Sequence, residues 1–278
     1  MGTIKMLQQL EDIGYVNIGN IFSNREVSCI ISKLNSYMNN KFPGTVYEQG
    51  GITVRGLHGL HLYDPFFYKL SCHPIFLDIA EQHLGSECYV HQFKVNLKRR
   101  MSGQSWPWHQ DFIYWKSGDG IKLPTLVNIG ILLDDVDMLC GPLCYIPSSH
   151  KNGDLTDVYN KSEHWNQDLS QNLTYQIGPD KIEMLLSNNK EEYMLGKAGD
   201  VIAFDPLLVH CSSTNMSPMD RKLLLITYNS PNNPPQLDSE TRRPEFLCSQ
   251  NYKALAASST ENIFAPDSKE SLFYYETN

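Results

Sequence analysis

"YVHQFKVNLK", residues 89–98, is where the periodicity of the chain changes. Upstream, apolar residues recur at helical spacing, whereas here they alternate with polar residues in the two-residue period of a β-strand. Later runs share this period, are rich in β-branched and aromatic residues, and are bounded by Gly, Pro, Asp or Asn. These runs are TLVNIGILLDD (125–135), GPLCYIPSSH (141–150), GDVIAFDPL (199–207) and KLLLITYN (222–229). Each of them predicts a strand.

The residues before Cys88 predict mainly helix. Ser23 and Glu26 have the spacing of a capping box, which predicts a helix over 24–39, and IFLDIAEQHLG (75–85) predicts a second helix. A short strand is predicted at GYVNIGN (14–20). The Gly-rich residues 43–62 suit a loop or irregular hairpin rather than a core element. Helices followed by many strands indicate a mainly β fold, an antiparallel sandwich or barrel with helices packed on one side.

The composition narrows the class of partner. The chain has 278 residues, a net charge of -8 and no stretch near the roughly 20 apolar residues of a membrane helix. The negative charge opposes nucleic-acid binding, which needs clustered Lys and Arg. The first residues lack the apolar core of a signal peptide, and the 7 cysteines form no CxxC pair. We therefore expect a cytoplasmic protein with free thiols, no membrane or nucleic-acid partner and a small-molecule substrate; the oligomeric state stays open.

The pattern of strands predicts one domain over residues 1–278. Residues 1–87 would provide helical support and a substrate-side loop, 88–230 the β core, and 231–278 a C-terminal segment. Within the core, the polar stretch 151–195 is too long for a plain connection. Insertions of this length more often form a lid or binding loop than a linker.

A histidine and an aspartate interrupt the aromatic run WPWHQDFIYW (106–115). If the run is a strand, His109 and Asp111 project to the same side, which suits two neighbouring metal ligands. On its own an HxD pair is more often a surface pair or a satisfied hydrogen bond. The surrounding aromatics suit sheet packing and the wall of a cavity, and Tyr114 and Trp115 lie near enough to contact a substrate.

A second segment, 196–229, supplies possible partners for this pair. His210 stands at the end of an apolar strand, Ser212 shares its face, and a polar turn brings Arg221 back across toward His210. His210 alone would more often be a hydrogen-bonded core histidine. Together with His109 and Asp111 it gives the arrangement of two histidines and one carboxylate that is diagnostic of non-haem Fe(II) oxygenases.

The order of these residues resembles the phytanoyl-CoA dioxygenase family of Fe(II)/2-oxoglutarate oxygenases, especially its small-molecule branch that contains ectoine hydroxylase. The resemblance rests on HxD at His109 and Asp111, on His210 about a hundred residues later, on Arg221 eleven positions further, and on GPLCYIPSSHK between them. It implies a double-stranded β-helix, a cupin-like jelly roll, flanked by helices. It also implies His109, Asp111 and His210 as catalytic iron ligands.

The same resemblance assigns the other site residues and the cofactors. Fe(II), 2-oxoglutarate and O2 are implied, with Arg221 as the salt-bridge partner of the distal 2-oxoglutarate carboxylate. A guanidinium binds a carboxylate through two parallel hydrogen bonds, which suits this role. Further implied cosubstrate contacts are Ser212, Asn128 and Asn96. Gln92 and Lys94, which share a strand face with Asn96, are expected to line the substrate cavity.

The expected reaction is hydroxylation of an aliphatic C–H bond in a small polar metabolite, with release of succinate and CO2. Halogenating relatives have Ala or Gly in place of Asp111. The chain is similar to hydroxylases that tailor alkaloids, so an intermediate of cylindrospermopsin type or an amino-acid derivative is expected. Glu48 and Asp157 are candidate partners of a guanidinium substrate. The alternatives are a non-catalytic jelly-roll binding protein, an acyl-CoA hydroxylase of the same family and a metal hydrolase.

Other histidines and arginines outside the core strands are not expected to bind the metal. His58 and His61 are expected to be loop or substrate-contacting residues rather than metal ligands, because GLHGLHL lacks helical character. Arg55, Arg242 and Arg243 are expected to be solvated or paired at the surface.

Overall fold

The computed structural model describes residues 2–40, 42–48, 50–159, 168–238 and 241–265. The helices are α1 (Thr3–Ile13), α2 (Asn24–Met38), α3 (Leu60–Tyr63), α4 (Pro65–Ser71), α5 (Pro74–Leu84), α6 (Phe112–Asp119), α7 (Pro179–Leu186) and α8 (Thr260–Ile263). The strands are β1 (Tyr15–Asn20), β2 (Thr45–Tyr47), β3 (Val54–His58), β4 (Tyr89–Lys98), β5 (Trp106–His109), β6 (Val127–Leu132), β7 (Leu143–Tyr145), β8 (Asp157–Val158), β9 (Tyr175–Gln176), β10 (Glu192–Tyr193), β11 (Asp200–Phe204), β12 (His210–Ser212) and β13 (Arg221–Asn229).

The strands with the two-residue period form two antiparallel sheets. The larger sheet has seven strands in the order β1-β11-β6-β13-β4-β3-β2, and the smaller has four in the order β10-β7-β12-β5. Several neighbours in the larger sheet, such as β1 and β11 or β13 and β4, are distant in sequence, as the crossing connections of a jelly roll require. All five predicted strand runs after Cys88 contain a strand of the structure.

Alternation along β13 shows how the sheets divide the core. Leu224 and Ile226 belong to the apolar cluster that the larger sheet shares with the helices, whereas Leu223 and Leu225 belong to the cluster beneath the smaller sheet. Successive side chains of a strand point to opposite faces, so one strand supplies both layers. The large sheet is therefore covered by helices on one face and by the small sheet on the other.

Local sequence signals fix the helices that cover the large sheet. Ser23 accepts a hydrogen bond from the backbone of Glu26, whose carboxylate bonds back to Ser23, so the predicted capping box is confirmed. Gly85 ends α5 in the left-handed conformation at φ 65°, which residues with a Cβ adopt at a cost. Within the described residues, no helix is long and apolar enough to cross a membrane.

The prediction that residues 43–62 stay out of the core is wrong. They contain the irregular hairpin β2/β3, but β3 is buried along its whole length and pairs with β4 in the large sheet. The pairing places Gly56 opposite Asn96, where a Cβ on Gly56 would lie 3.2 Å from a backbone oxygen of β4. Glycine thus fits where a tight strand contact leaves little room.

The insertion at 151–195 packs against β5 of the small sheet. It contains the two-stranded sheet β8/β9 and α7, and residues 160–167 lie outside the described part. Ile177 bonds through its backbone to Trp108 on β5. This contact brings the insertion beside the strand that carries His109.

Replacing Leu224 by alanine tests the packing of the central strand. Leu224 is 0 % exposed and faces Val95 and Ile131 in the neighbouring strands. The cavity left in a close-packed core should lower the free energy of unfolding by about 2–5 kcal/mol. Urea unfolding followed by circular dichroism measures this loss. The matched substitution Leu139→Ala, at a residue that is 60 % exposed, should change it by less than about 0.5 kcal/mol. Equal losses at the two positions would contradict the described core.

Candidate active site

Strands β5 and β12 of the small sheet, together with the start of α6, bring His109, Asp111 and His210 together. His109 and His210 are direct partners across the β5/β12 ladder, and their ring centroids lie 4.2 Å apart. One potential ligand atom from each of the three residues lies within 4.8 Å of the others, and all three residues are buried.

His109 and Asp111 come close together at the point where β5 ends and α6 begins. β5 ends at His109, and Asp111 has helical backbone angles at the start of α6, so the expected strand through Asp111 is wrong. Gln110, between them, stabilises this turn through hydrogen bonds to the backbone of other segments. Its amide donates to the carbonyls of Gly153 and Leu207 and accepts from the Leu155 backbone.

The hydrogen bonds and burial of the triad suit metal binding. Nδ1 of His109 donates to the Pro107 carbonyl at 2.6 Å and Nδ1 of His210 to the Leu208 carbonyl at 2.9 Å, so each Nε2 is left as the lone-pair nitrogen. Burial is the main cause that lowers the pKa of His109 to about 3 and also lowers that of His210. Neutral imidazoles beside a carboxylate are the forms that bind a divalent metal.

Asp111 is held by groups on the large sheet. Burial alone would raise its pKa, but the charge of Lys94 and the hydrogen bond from Asn128 help to lower it to about 2. Asn128 donates to Oδ2 of Asp111 at 2.9 Å, and Lys94 Nζ lies 3.6 Å from Oδ1. Asn128 in turn accepts a hydrogen bond from Thr227. The contacts of Asn128 are thus with Asp111 and Thr227, while its contact with 2-oxoglutarate stays a prediction.

A second group of buried polar atoms is supplied by the end of β12 and the start of β13. Arg221 is 2 % exposed and donates through Nη2 to the Gly141 carbonyl at 2.6 Å. Its Nε and the Oγ of Ser212 have no hydrogen-bond partner among the described residues. A buried donor without a partner is costly, so both atoms suit a ligand that brings an acceptor.

Sequence reasoning missed Lys98, which stands opposite Arg221 in the β4/β13 ladder. Lys98 is 2 % exposed and donates through Nζ to the Ser213 carbonyl. Burial, Arg221 and Arg55 together lower the pKa of Lys98 to about 6. Glu48 bonds to Arg55, so this buried cluster carries more cationic than anionic groups. The alternation of β4 places Lys98 on the face of Gln92, Lys94 and Asn96, and this signal could have identified it.

A cavity between the two sheets contains the triad. Its walls include five of the predicted cosubstrate or substrate residues: Gln92, Lys94, Asn96, Tyr114 and Trp115. Tyr114 and Trp115 lie on α6 rather than on a strand. Tyr114 donates to the Tyr175 carbonyl of the insertion at 2.6 Å, and Trp115 is 1 % exposed.

The cavity wall also contains His58, Asp168 and Arg243. Of these, the sequence indicated only His58, as a loop or substrate-contacting residue. His58 is 4 % exposed, and its Nδ1 has no partner within the described part of the chain. The expected surface position of Arg243 is wrong, because its side chain is buried and paired with Asp119. Arg55 is likewise buried, 3.8 Å from the Trp106 ring centroid.

The two carboxylates proposed from sequence for a guanidinium substrate have other partners. Glu48 bonds to Arg55 at 2.9 Å, and Asp157 bonds to Lys181 at 2.7 Å. The described cavity wall includes neither of them and contains Asp168 instead. His61 stacks on Phe93, with ring centroids 5.5 Å apart.

Comparison with known proteins identifies the family. Phytanoyl-CoA dioxygenase (PhyH) is the family that matches, over residues 10–223. L-Proline trans-4-hydroxylase of Streptomyces griseoviridis is 38% identical over 242 residues, which cover 85% of this chain and 89% of that protein. Ectoine dioxygenase of Bordetella bronchiseptica is 29% identical over 90% of this chain and 83% of its own length.

The fold agrees with a solved structure of the same kind. EctD from S. alaskensis, solved with 2-oxoglutarate and 5-hydroxyectoine, superposes with a TM-score of 0.78 at 24% identity, covering 92% of this chain and 86% of EctD. The predicted jelly roll flanked by helices is therefore confirmed. The chain belongs to the phytanoyl-CoA dioxygenase (PhyH) family and is an oxygenase that depends on Fe(II), 2-oxoglutarate and O2.

Proposed function

We propose that this enzyme hydroxylates an aliphatic C–H bond of a small zwitterionic metabolite. An amino-acid derivative and an alkaloid intermediate that carries both an anionic and a cationic group fit this description. The observation that carries the proposal is the cavity in which Arg243 and Asp168 lie on the same walls as His109, Asp111 and His210. L-Proline, named in the 38% identical relative, is itself a small zwitterion.

His109, Asp111 and His210 would hold the iron in this proposal. Two backbone carbonyls fix the histidine rings, and Asn128 fixes one oxygen of Asp111, so the ligands are oriented before metal binds. The bound iron supplies the oxidising chemistry through which 2-oxoglutarate and O2 yield succinate, CO2 and a hydroxylated product. The protein's own contribution is to place one C–H bond and to exclude water.

Arg221, Ser212 and Lys98 would bind the distal carboxylate of 2-oxoglutarate. Arg221 Nε and Ser212 Oγ are buried donors without an acceptor, and Lys98 adds a buried amine opposite Arg221 whose charged form a bound carboxylate would favour. A carboxylate would balance this charge, which is otherwise costly to bury. Asn96 lies on the cavity wall two residues before Lys98 on the same face of β4, and it would contact the same molecule.

The substrate would lie against α6 and the insertion. Arg243 would bind its anionic group and Asp168 its cationic group, while Gln92, Tyr114 and Trp115 supply the remaining walls. Burial and the charge of Asp168 raise the pKa of Tyr114, which keeps this phenol neutral and able to donate to the insertion. Aromatic walls exclude water from the reacting bond.

A turnover assay tests the reaction class and the substrate class together. With Fe(II), 2-oxoglutarate and O2, a panel of L-proline, ring-expanded amino acids, ectoine and guanidinium-bearing zwitterions should include compounds that stimulate succinate release, with one hydroxylated product per succinate. Neutral and purely anionic analogues should not stimulate it. Stimulation only by acyl-CoA esters would favour the acyl-CoA alternative. Activity with zinc and without O2 would contradict an oxygenase.

Arg221→Ala should raise the 2-oxoglutarate requirement. Loss of a charge-assisted hydrogen bond costs about 1.5–3 kcal/mol, which corresponds to a KM increase of roughly 10- to 150-fold. The KM for 2-oxoglutarate is measured at saturating substrate. The same substitution at Arg25, an exposed residue of α2, should leave that KM unchanged. A wild-type KM in Arg221→Ala would rule out this role.

Asn128→Ala should weaken metal binding, because Asp111 loses the partner that orients it. Removal of such an outer partner raises the metal Kd by roughly 10- to 100-fold. Anaerobic titration with Fe(II) or Co(II) measures the Kd, and circular dichroism verifies that the variant is folded. Asn40→Ala, at an exposed position, provides the control. An unchanged Kd in a folded Asn128→Ala protein would contradict the proposed coordination.

A further inference from the structure

A second buried polar cluster lies directly behind the cavity wall. Both oxygens of Asp119 accept from Arg243, from Nε at 2.8 Å and from Nη2 at 2.6 Å. His91 Nε2 lies 3.1 Å from Oδ2 of the same carboxylate. Asp119 and His91 are 0 % and 1 % exposed. Of these three residues, only Arg243 is part of the cavity wall.

Two interpretations fit such a cluster, a metal site or an ion-pair network. His91, Asp119 and Cys248 each offer a ligand atom within 4.8 Å of the others. However, the guanidinium of Arg243 already occupies both oxygens of Asp119, and its positive charge repels a divalent cation. Burial alone would raise the pKa of Asp119, but Arg243 and His91 lower it to about 2. The contacts favour the ion-pair network.

The fold leaves Arg243 little freedom. Its side chain packs on Gly118, where a Cβ would lie 3.0 Å from both Cδ and Nε of Arg243. Asp119 also accepts backbone hydrogen bonds from Gln236 and Leu237, which tie the segment before Arg243 to the end of α6. The bidentate contact uses the Nε and Nη2 edge of the guanidinium, so Nη1 is the nitrogen that Asp119 does not bind.

We propose that Asp119 and His91 are positioning residues that hold Arg243 in the orientation in which it receives the anionic group of the substrate. The inference rests on the proposed function, in which Arg243 contacts the substrate. An arginine side chain that is free in solution loses rotamer entropy when it binds a ligand. Here the network orders Arg243 during folding, so that loss does not weaken substrate binding. His91 supports the carboxylate from β4 and packs edge-on against Trp115, at 5.8 Å between centroids.

Asp119→Asn tests the network with little change in volume. The variant should raise the KM for substrate at least tenfold, while the KM for 2-oxoglutarate stays within about twofold. A general folding defect would not separate the two constants in this way. Gly118→Ala should produce the same split, because the added methyl group displaces Arg243 without touching the charge of Asp119. Asp135→Asn, at an exposed aspartate paired with Lys197, is the matched control and should leave both constants unchanged. A wild-type substrate KM in Asp119→Asn would overturn the proposal.

A double-mutant cycle shows whether Asp119 acts through Arg243. In an Arg243→Met background, Asp119→Asn should have no further effect on the substrate KM, since the residue that it orients is gone. Additive effects of the two substitutions would overturn the proposal.

Two measurements do not depend on turnover. In a crystal structure of Asp119→Asn, the guanidinium should leave its position on the cavity wall; an unchanged guanidinium overturns the inference even if no substrate is found. Absence of substrate-stimulated turnover in the wild type would count against the proposed function alone. In a variant that carries His109→Ala and His210→Ala, metal analysis should find no stoichiometric metal. A bound metal equivalent that disappears with Cys248→Ser would overturn the ion-pair assignment.

Discussion

The register of β12 against its two neighbours is the constraint on which the site depends. Because side chains alternate along a strand, His210 and Ser212 face the interior while Cys211 faces away. A slip by one residue would direct Cys211 inward and move both functional side chains out of the cavity. The apolar cluster between the sheets, which includes Leu143 and Tyr145 of the partner strand β7, makes such a slip costly. The packing of these apolar side chains therefore fixes the geometry of the site, although none of them supplies a metal-ligand atom.

Much of this site follows from the local sequence, and the remainder depends on contacts between distant segments. Alternation predicted the strands, and the order of His109, Asp111 and His210 along the chain predicted the triad that the structure brings together. The turn after His109 was missed because the aromatic residues around it favour strands, whereas the helix that begins at Phe112 is stabilised by its tertiary setting. Arg243 appeared to be a surface residue because its partner, Asp119, lies 124 positions earlier in the chain. No local pattern reports a contact at that distance.

The residues that line the cavity come from two kinds of segment, the strands of the sheets and the segments outside them. His109 and His210 lie on the small sheet, while Asp168 and Arg243, which line the same cavity, come from the insertion and the C-terminal segment. The segments outside the sheets are where substrate selection can diverge without loss of the metal site.

Helix α6 connects the metal-facing Asp111 to the buried ion pair of Asp119 and Arg243. Asp111 lies immediately before its first residue and Asp119 is its last, so eight helical residues, or about 12 Å, connect the metal-facing carboxylate to the carboxylate that holds Arg243. A hydrogen-bonded helix changes length only in steps of about 1.5 Å, and each step also turns its end by about 100°. Helix α6 therefore sets the spacing between the metal-facing carboxylate of Asp111 and the carboxylate that holds Arg243. An insertion or deletion within α6 would change both this spacing and the direction of Asp119 relative to Asp111, while the strands of the β scaffold stayed unchanged.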